Sequence, residues 1–309
     1  MFKGSVFVTV TGPGREDSLV ATGVALFRRV TGATWYVCFT HGRLTAEAKA
    51  ALDKLYALAE ATCNTLSYKE CDPGLAVGQI KAEAATLVED LFEGSVFINL
   101  DDDHLHTDAT IQVYRDALPR LLGGKQEVFA PSVWDMWEND YDDWFAWANL
   151  VHDGDPEQAI VDLPSKVGAL PLTEFVQEYG AYSLAHQNWE RICGQEYSEN
   201  TYIDLQYIGN CWAVPNELLL LAPVQKKLKE WPRGVRGYDL YLQSVFRSLN
   251  MPMYTCLSAS VAHTGMHTKE SSKANWGRTP SRYYSEHAAD RLSVEPIKGK
   301  KLLTIKDMQ

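Results

Sequence analysis

Two periods of hydrophobic and polar positions alternate over the first hundred residues. Val6-Phe7-Val8-Thr9-Val10 is a short apolar run of β-branched and aromatic type, which predicts a buried strand. Leu19 to Val30 reads as a helix, and Thr34-Trp35-Tyr36-Val37-Cys38-Phe39 as a second strand. Leu44 to Ala61 sets Leu52, Leu55 and Leu58 at helical spacing, and a third strand is expected over Asn64 to Tyr68. Gln79 to Phe92 places Ile80, Ala84, Leu87, Val88 and Leu91 on one face, then passes through Gly94 into Val96-Phe97-Ile98-Asn99-Leu100. Strands and helices in alternation predict an α/β fold: a mostly parallel twisted sheet with right-handed crossovers, flanked by helices, in a single large domain.

The second half is less regular. Asp108 to Leu122 resembles a surface helix and Glu127 to Ala130 a strand. Trp134, Trp137, Tyr141, Trp144, Phe145 and Trp147 follow, interleaved with acids. They suit either a helix packed on the sheet or aromatic faces for a sugar or base. Residues 151 to 172 read as a long loop suited to closing over substrate, and Thr173 to Cys193 as a helix. Thr201 to Val214 is strand-like and ends at Pro215. Helices are expected over Asn216 to Trp231 and Tyr238 to Leu249, and a strand over Met253 to Ala262. From about Lys269 the chain is polar and basic with little periodicity, and reads as a tail or flap.

Composition narrows the partners. The 309 residues are 46% hydrophobic and 22% charged, enough for a sizeable core. The formal net charge of −11 disfavours broad adhesion to nucleic acid or anionic membranes. Six scattered cysteines without a C-x-x-C pair read as reduced core thiols, which makes structural zinc unexpected. With no signal-peptide pattern and no apolar run of membrane-spanning length, a soluble cytoplasmic protein is expected.

Two stretches carry candidate chemistry. The strand at Val96 ends in Asp101-Asp102-Asp103. An unpaired buried carboxylate is costly, so the triplet must lie at the strand's exposed end or be neutralised by a cation. Asp101 and Asp103 share one side of an extended chain, which suits a divalent metal on phosphate oxygens. The competing reading is a solvated acidic turn. The first strand is followed by Thr11-Gly12-Pro13-Gly14-Arg15, where many α/β proteins bring backbone close to a nucleotide. Asp17 stands where a dinucleotide fingerprint needs its third glycine, so a Rossmann dehydrogenase is poorly supported.

Over roughly residues 5 to 267 the order of these features resembles the nucleotide-sugar-dependent glycosyltransferases of the GT-A fold. The features are an opening βα unit with a short polar turn, a helix running into a strand that ends in D-x-D, and the small-residue stretch Ile208 to Val214. Asp239 then follows in Arg236-Gly237-Tyr238-Asp239, and His263 in Ser260-Val261-Ala262-His263-Thr264-Gly265. The resemblance implies that Asp103 holds Mn²⁺ or Mg²⁺, that Asp101 contacts the donor, and that Asp102 points away or takes a supporting role. It implies His263 as a second metal ligand, with His267 competing for that role; His104 and His106 also lie within reach of the ion. Thr11, Gly12 and Arg15 would hold the base and ribose. Lys81 would point towards the donor, the alternative being a solvated helix lysine. Asp239 would deprotonate the acceptor hydroxyl if the anomeric centre inverts, the alternative being a first-turn acid on its helix. Inverting relatives carry Glu-Asp where this chain has Tyr238-Asp239.

By the same resemblance, residues 1–107 form the nucleotide-sugar-binding half and residues 108–268 the acceptor-binding and catalytic half, with 269–309 as tail or flap. The donor is a nucleotide-diphosphate sugar. The acceptor is a saccharide or another hydroxyl, a glycan precursor by default. A modified nucleobase in DNA is a lesser alternative, for which Lys273, Arg278 and Arg282 would contact phosphate. Competing classes are a nucleotidyltransferase, a metal-dependent phosphohydrolase and a non-catalytic sugar-binding module.

Overall fold

The computed structural model describes residues 2–91, 94–135, 200–204, 208, 210–232, 238–263, 301 and 303–308. Most of the tryptophan-rich stretch, the loop of 151–172, the helix expected over Thr173 to Cys193, His267 and the basic residues 273–282 lie outside the described residues.

The N-terminal elements follow the periodicity closely. Strand β1 (Ser5–Thr11), helix α1 (Glu16–Phe27), β2 (Thr34–Phe39), α2 (Ala46–Ala61), β3 (Thr65–Glu70), α3 (Val77–Leu91) and β4 (Val96–Asn99) succeed one another. After them come β5 (His104–Leu105), α4 (Asp108–Leu122), β6 (Val128–Asp135), β7 (Thr201–Asp204) and β8 (Ala213–Pro215). Short helices α5 (Asn216–Leu219) and α6 (Ala222–Lys229) precede α7 (Tyr238–Ser248), β9 (Met253–His263) and β10 (Leu303–Thr304). The single helix expected over Asn216 to Trp231 is therefore two, separated at Leu220 and Leu221. Pro223, which lacks a backbone N–H, sits in the first turn of α6, where no intrahelical donor is needed.

One sheet runs β10-β7-β9-β6-β8-β4-β1-β2-β3, with β5 added against β9. The β3-β2-β1-β4 part is wholly parallel. Beyond it the sheet is mixed, with β6 parallel to β9 while β8, β7, β10 and β5 pair antiparallel. Alternate side chains of the central strands feed two cores. Phe7, Trp35, Val37, Phe39, Val96 and Ile98 pack with α1, α2 and α4 on one face. Val6, Val8, Tyr36, Cys38 and Phe97 pack with α3, α5, α6 and α7 on the other. Burial on both faces explains why these strands read as continuous apolar runs. None of the described helices is long and apolar enough to cross a membrane.

Candidate functional site

Strand order creates a crevice. From β1 the chain moves outward through β2 to β3, then returns with β4 on the opposite side of β1. The segments leaving the carboxyl ends of β1 and β4 face each other there, the usual ligand position of an open α/β sheet. One segment is Thr11 to Arg15 and the other is Asp101 to Asp103, so groups as far as 91 residues apart in sequence meet.

Asp102 and Asp103 are both buried, at 1% exposure. Thr11 Oγ1 donates to Asp102 Oδ2 at 2.5 Å, and Arg15 Nη2 lies 2.6 Å from Asp102 Oδ1. The same nitrogen donates to Asp103 Oδ2 at 2.9 Å. The cation beside the two buried acids is thus a guanidinium. Burial pushes Asp102 up to about 7, while Arg15 and the Thr11 hydroxyl pull it down and the charge of Asp103 adds to the rise. Asp102 also anchors the turn through its backbone, its carbonyl accepting from Ser18 Oγ at 2.6 Å and Thr22 Oγ1 at 2.9 Å on α1. Of the two expectations for Asp102, these contacts fit the supporting role: it is as buried as Asp103 and tied to β1 and α1.

Asp101 is the outward member, its side chain 30% exposed. Its backbone N–H donates to His104 Nδ1 at 3.2 Å, and its Oδ2 lies 3.8 Å from His104 Nε2. Asp101, Asp103 and His104 each offer one ligand atom, all within 4.8 Å of one another. Two carboxylates and an imidazole fit Mn²⁺, and the carboxylates alone fit Mg²⁺. For the imidazole to ligate through Nε2, Nδ1 must carry the proton, so the Asp101 amide contact would be exchanged on binding. His104 joins the acids because Asp101 to His104 turn back on themselves, the His104 N–H reaching the Asp101 carbonyl at 3.4 Å. Its signal in the sequence was only its place directly after the triplet.

His263 is the last residue of β9, and its backbone is the register partner of His104 in β5 and of Asp135 in β6. His106 is buried behind the site, with Nδ1 3.2 Å from Thr110 Oγ1; burial pushes its pKa well down. Asp239 is the second residue of α7. Gly78 fixes where that helix begins, since a Cβ there would meet Tyr238 Cβ at 3.3 Å and Trp231 Cβ at 3.1 Å. The head of α7 therefore abuts the first turn of α3, about one turn before Lys81.

Lys81 is only 3% exposed. Its Nζ donates to Val8 O at 2.9 Å and sits 5.9 Å from the Phe97 ring centroid. Burial drives it down to about 8, opposed by Asp101 and more weakly by Cys38 and Asp102. It is not a solvated helix lysine: it lies under the seam where β1 and β4 pair. Gly12 is close to β2, since a Cβ there would meet Thr40 Oγ1 at 3.2 Å. Thr40 in turn donates its N–H to Thr11 O at 2.9 Å.

No protein-family model matches the chain, and no curated protein sequence matches it. Solved structures similar to it include a mycobacterial protein, with 11% identity over 84% of this chain and 67% of that one at a TM-score of 0.39. Another is the galactosyltransferase LgtC in complex with donor and acceptor sugar analogs, with 10% identity, 94% and 97% coverage and a TM-score of 0.39. A third is glucosyl-3-phosphoglycerate synthase from Mycobacterium tuberculosis with Mg²⁺ and uridine diphosphate, with 11% identity, 98% and 87% coverage and a TM-score of 0.40.

Proposed function

We propose that this chain is a metal-dependent glycosyltransferase that moves a sugar from a nucleotide-diphosphate sugar to a hydroxyl acceptor. The observation that carries the reading is the meeting of Asp101, Asp103 and His104 within 4.8 Å at the crevice between β1 and β4, facing Thr11 and Arg15 of the β1 turn. Asp103 and His104, with His263 from β9, would hold Mn²⁺ or Mg²⁺, and the partly exposed Asp101 would reach both the ion and the donor. A divalent ion there would supply Lewis-acid stabilisation of the diphosphate leaving group. Asp102 keeps the acidic turn rigid through Thr11, Ser18 and Thr22. Lys81 acts from below, its charge countering Asp101 across the strand seam. Residues 1–107 form the donor half, and the acceptor, a saccharide by default, enters over the half from 108 to 268. Asp239, at the head of α7, takes the acceptor proton in an inverting transfer.

The test is a panel of nucleotide sugars with Mn²⁺ or Mg²⁺, scored for thermal stabilisation and donor hydrolysis. One or more donors should stabilise the protein only with metal, and Asp103→Ala should abolish both effects. Asp239→Asn should keep donor binding and lose transfer by about 10²–10⁴-fold. If no donor binds and Asp103→Ala behaves like the parent protein, the proposed function is wrong.

A further inference from the structure

We infer that Arg15, seated on Asp102 and Asp103, is an internal counter-cation that makes divalent-metal binding at Asp103 conditional on a diphosphate. The inference rests on the function proposed above. Arg15 Nη2 lies 2.6 Å from Asp102 Oδ1 and 2.9 Å from Asp103 Oδ2, and Asp103 belongs to the group of metal-competent atoms with Asp101 and His104. A divalent ion binds a carboxylate oxygen at roughly 2.0–2.2 Å, which sets its charge almost against the guanidinium. Like charges at that separation, in a site where both acids are buried, repel strongly.

One partner has to yield, and the acids are the poorer candidates. The Asp102 carbonyl is tied to Ser18 and Thr22 and its carboxylate to Thr11, all on α1 or at the end of β1. Arg15 is a long side chain, 27% exposed, and its Nε finds no hydrogen-bond partner among the described residues. Guanidinium binds phosphate oxygens in the same bidentate manner as carboxylates. A diphosphate entering the crevice therefore offers Arg15 a replacement anion at the moment the ion takes Asp103. Ion and diphosphate then tighten each other by an equal factor, as linkage requires. Ion alone meets the guanidinium in place and binds weakly.

The experiment is a Mn²⁺ titration of the full chain, read from the free-ion electron paramagnetic resonance signal, with and without uridine or guanosine diphosphate and with nucleotide-only blanks subtracted. In the parent protein at least one diphosphate should tighten Mn²⁺ about tenfold or more. In Arg15→Gln, Mn²⁺ alone should bind about tenfold tighter than to the parent, and the enhancement by diphosphate should fall below about threefold. Arg15→Gln leaves Asp102 buried without its counter-charge. The double variant Arg15→Gln/Asp102→Asn, which removes both charges and keeps an acceptor for Thr11, should give the same readout if the single variant unfolds. Equal Mn²⁺ affinity in parent and variants overturns the inference and leaves the proposed function standing. Failure of parent and variants alike to bind Mn²⁺, with or without either diphosphate, overturns the proposed function itself.

Discussion

Lys81 shows what burial does to one charge. Its pKa falls from the ordinary 10.5 to about 8, so the folded chain releases this proton earlier than the unfolded chain does. Between those values the unfolded state binds more protons, and stability rises with pH across that window. Below pH 8 the full cost of the buried ammonium is present. Lys81→Met should therefore raise the unfolding free energy by about 2 kcal/mol at pH 7, allowing for the lost bond to Val8, and the gain should shrink by pH 10. Urea unfolding at the two pH values checks this, and a constant gap would refute the assignment. The acidic triplet was visible in sequence because three carboxylates after an apolar strand demand an explanation. Which of the acids the fold buries, and with what partners, was not visible. That depends on Thr11, Arg15, Ser18 and Thr22, which lie 80 or more residues away and are ordinary residue types for a turn and a helix.

At the scale of elements, contacts and caps can be tested separately. Gly23 on α1 faces β2 and α2 so closely that a Cβ would collide with Leu55 Cδ2 and meet Trp35 Cζ3 at 2.6 Å. Gly23→Ala should thus cost about 1–3 kcal/mol through overpacking, read as a lower urea midpoint. Helix α4 opens with a reciprocal cap, Thr107 Oγ1 accepting from Thr110 N at 3.3 Å and Thr110 Oγ1 from Thr107 N at 2.8 Å. Thr107→Ala should cost about 1 kcal/mol in the same assay. Long periodic elements such as α4 and β2 were legible to the residue. The break in Asn216 to Trp231 was not, because the run of Leu218 to Leu221 sustains an apolar face across a turn that tertiary packing imposes.

For the whole molecule, the parallel half could be anticipated because its strands are continuous apolar runs alternating with helical crossovers. In the other half β6, α7 and β9 lie where the sequence placed them, while β5, β8 and β10 escaped because they have two or three residues each, too few to show a period. The two halves meet at β4 and β8, so occupancy of the crevice should stabilise them together. With a productive nucleotide sugar and Mn²⁺ at about 100 times the dissociation constant, the protein should gain roughly 2.7 kcal/mol, and a chelator should reverse it. Calorimetry showing no chelator-sensitive shift would count against a metal-linked site.

The short strand β10 has a practical consequence. Leu303 and Thr304 cover the outer edge of β7, while Leu303, Ile305 and Met308 pack on the core below it. Removing residues 303 to 309 would bare the edge of β7 that Leu303 and Thr304 pair with, together with an apolar footprint. A sheet edge in that state recruits strands from other molecules. The shortened protein should therefore form concentration-dependent aggregates, visible by light scattering, under conditions in which the full chain does not.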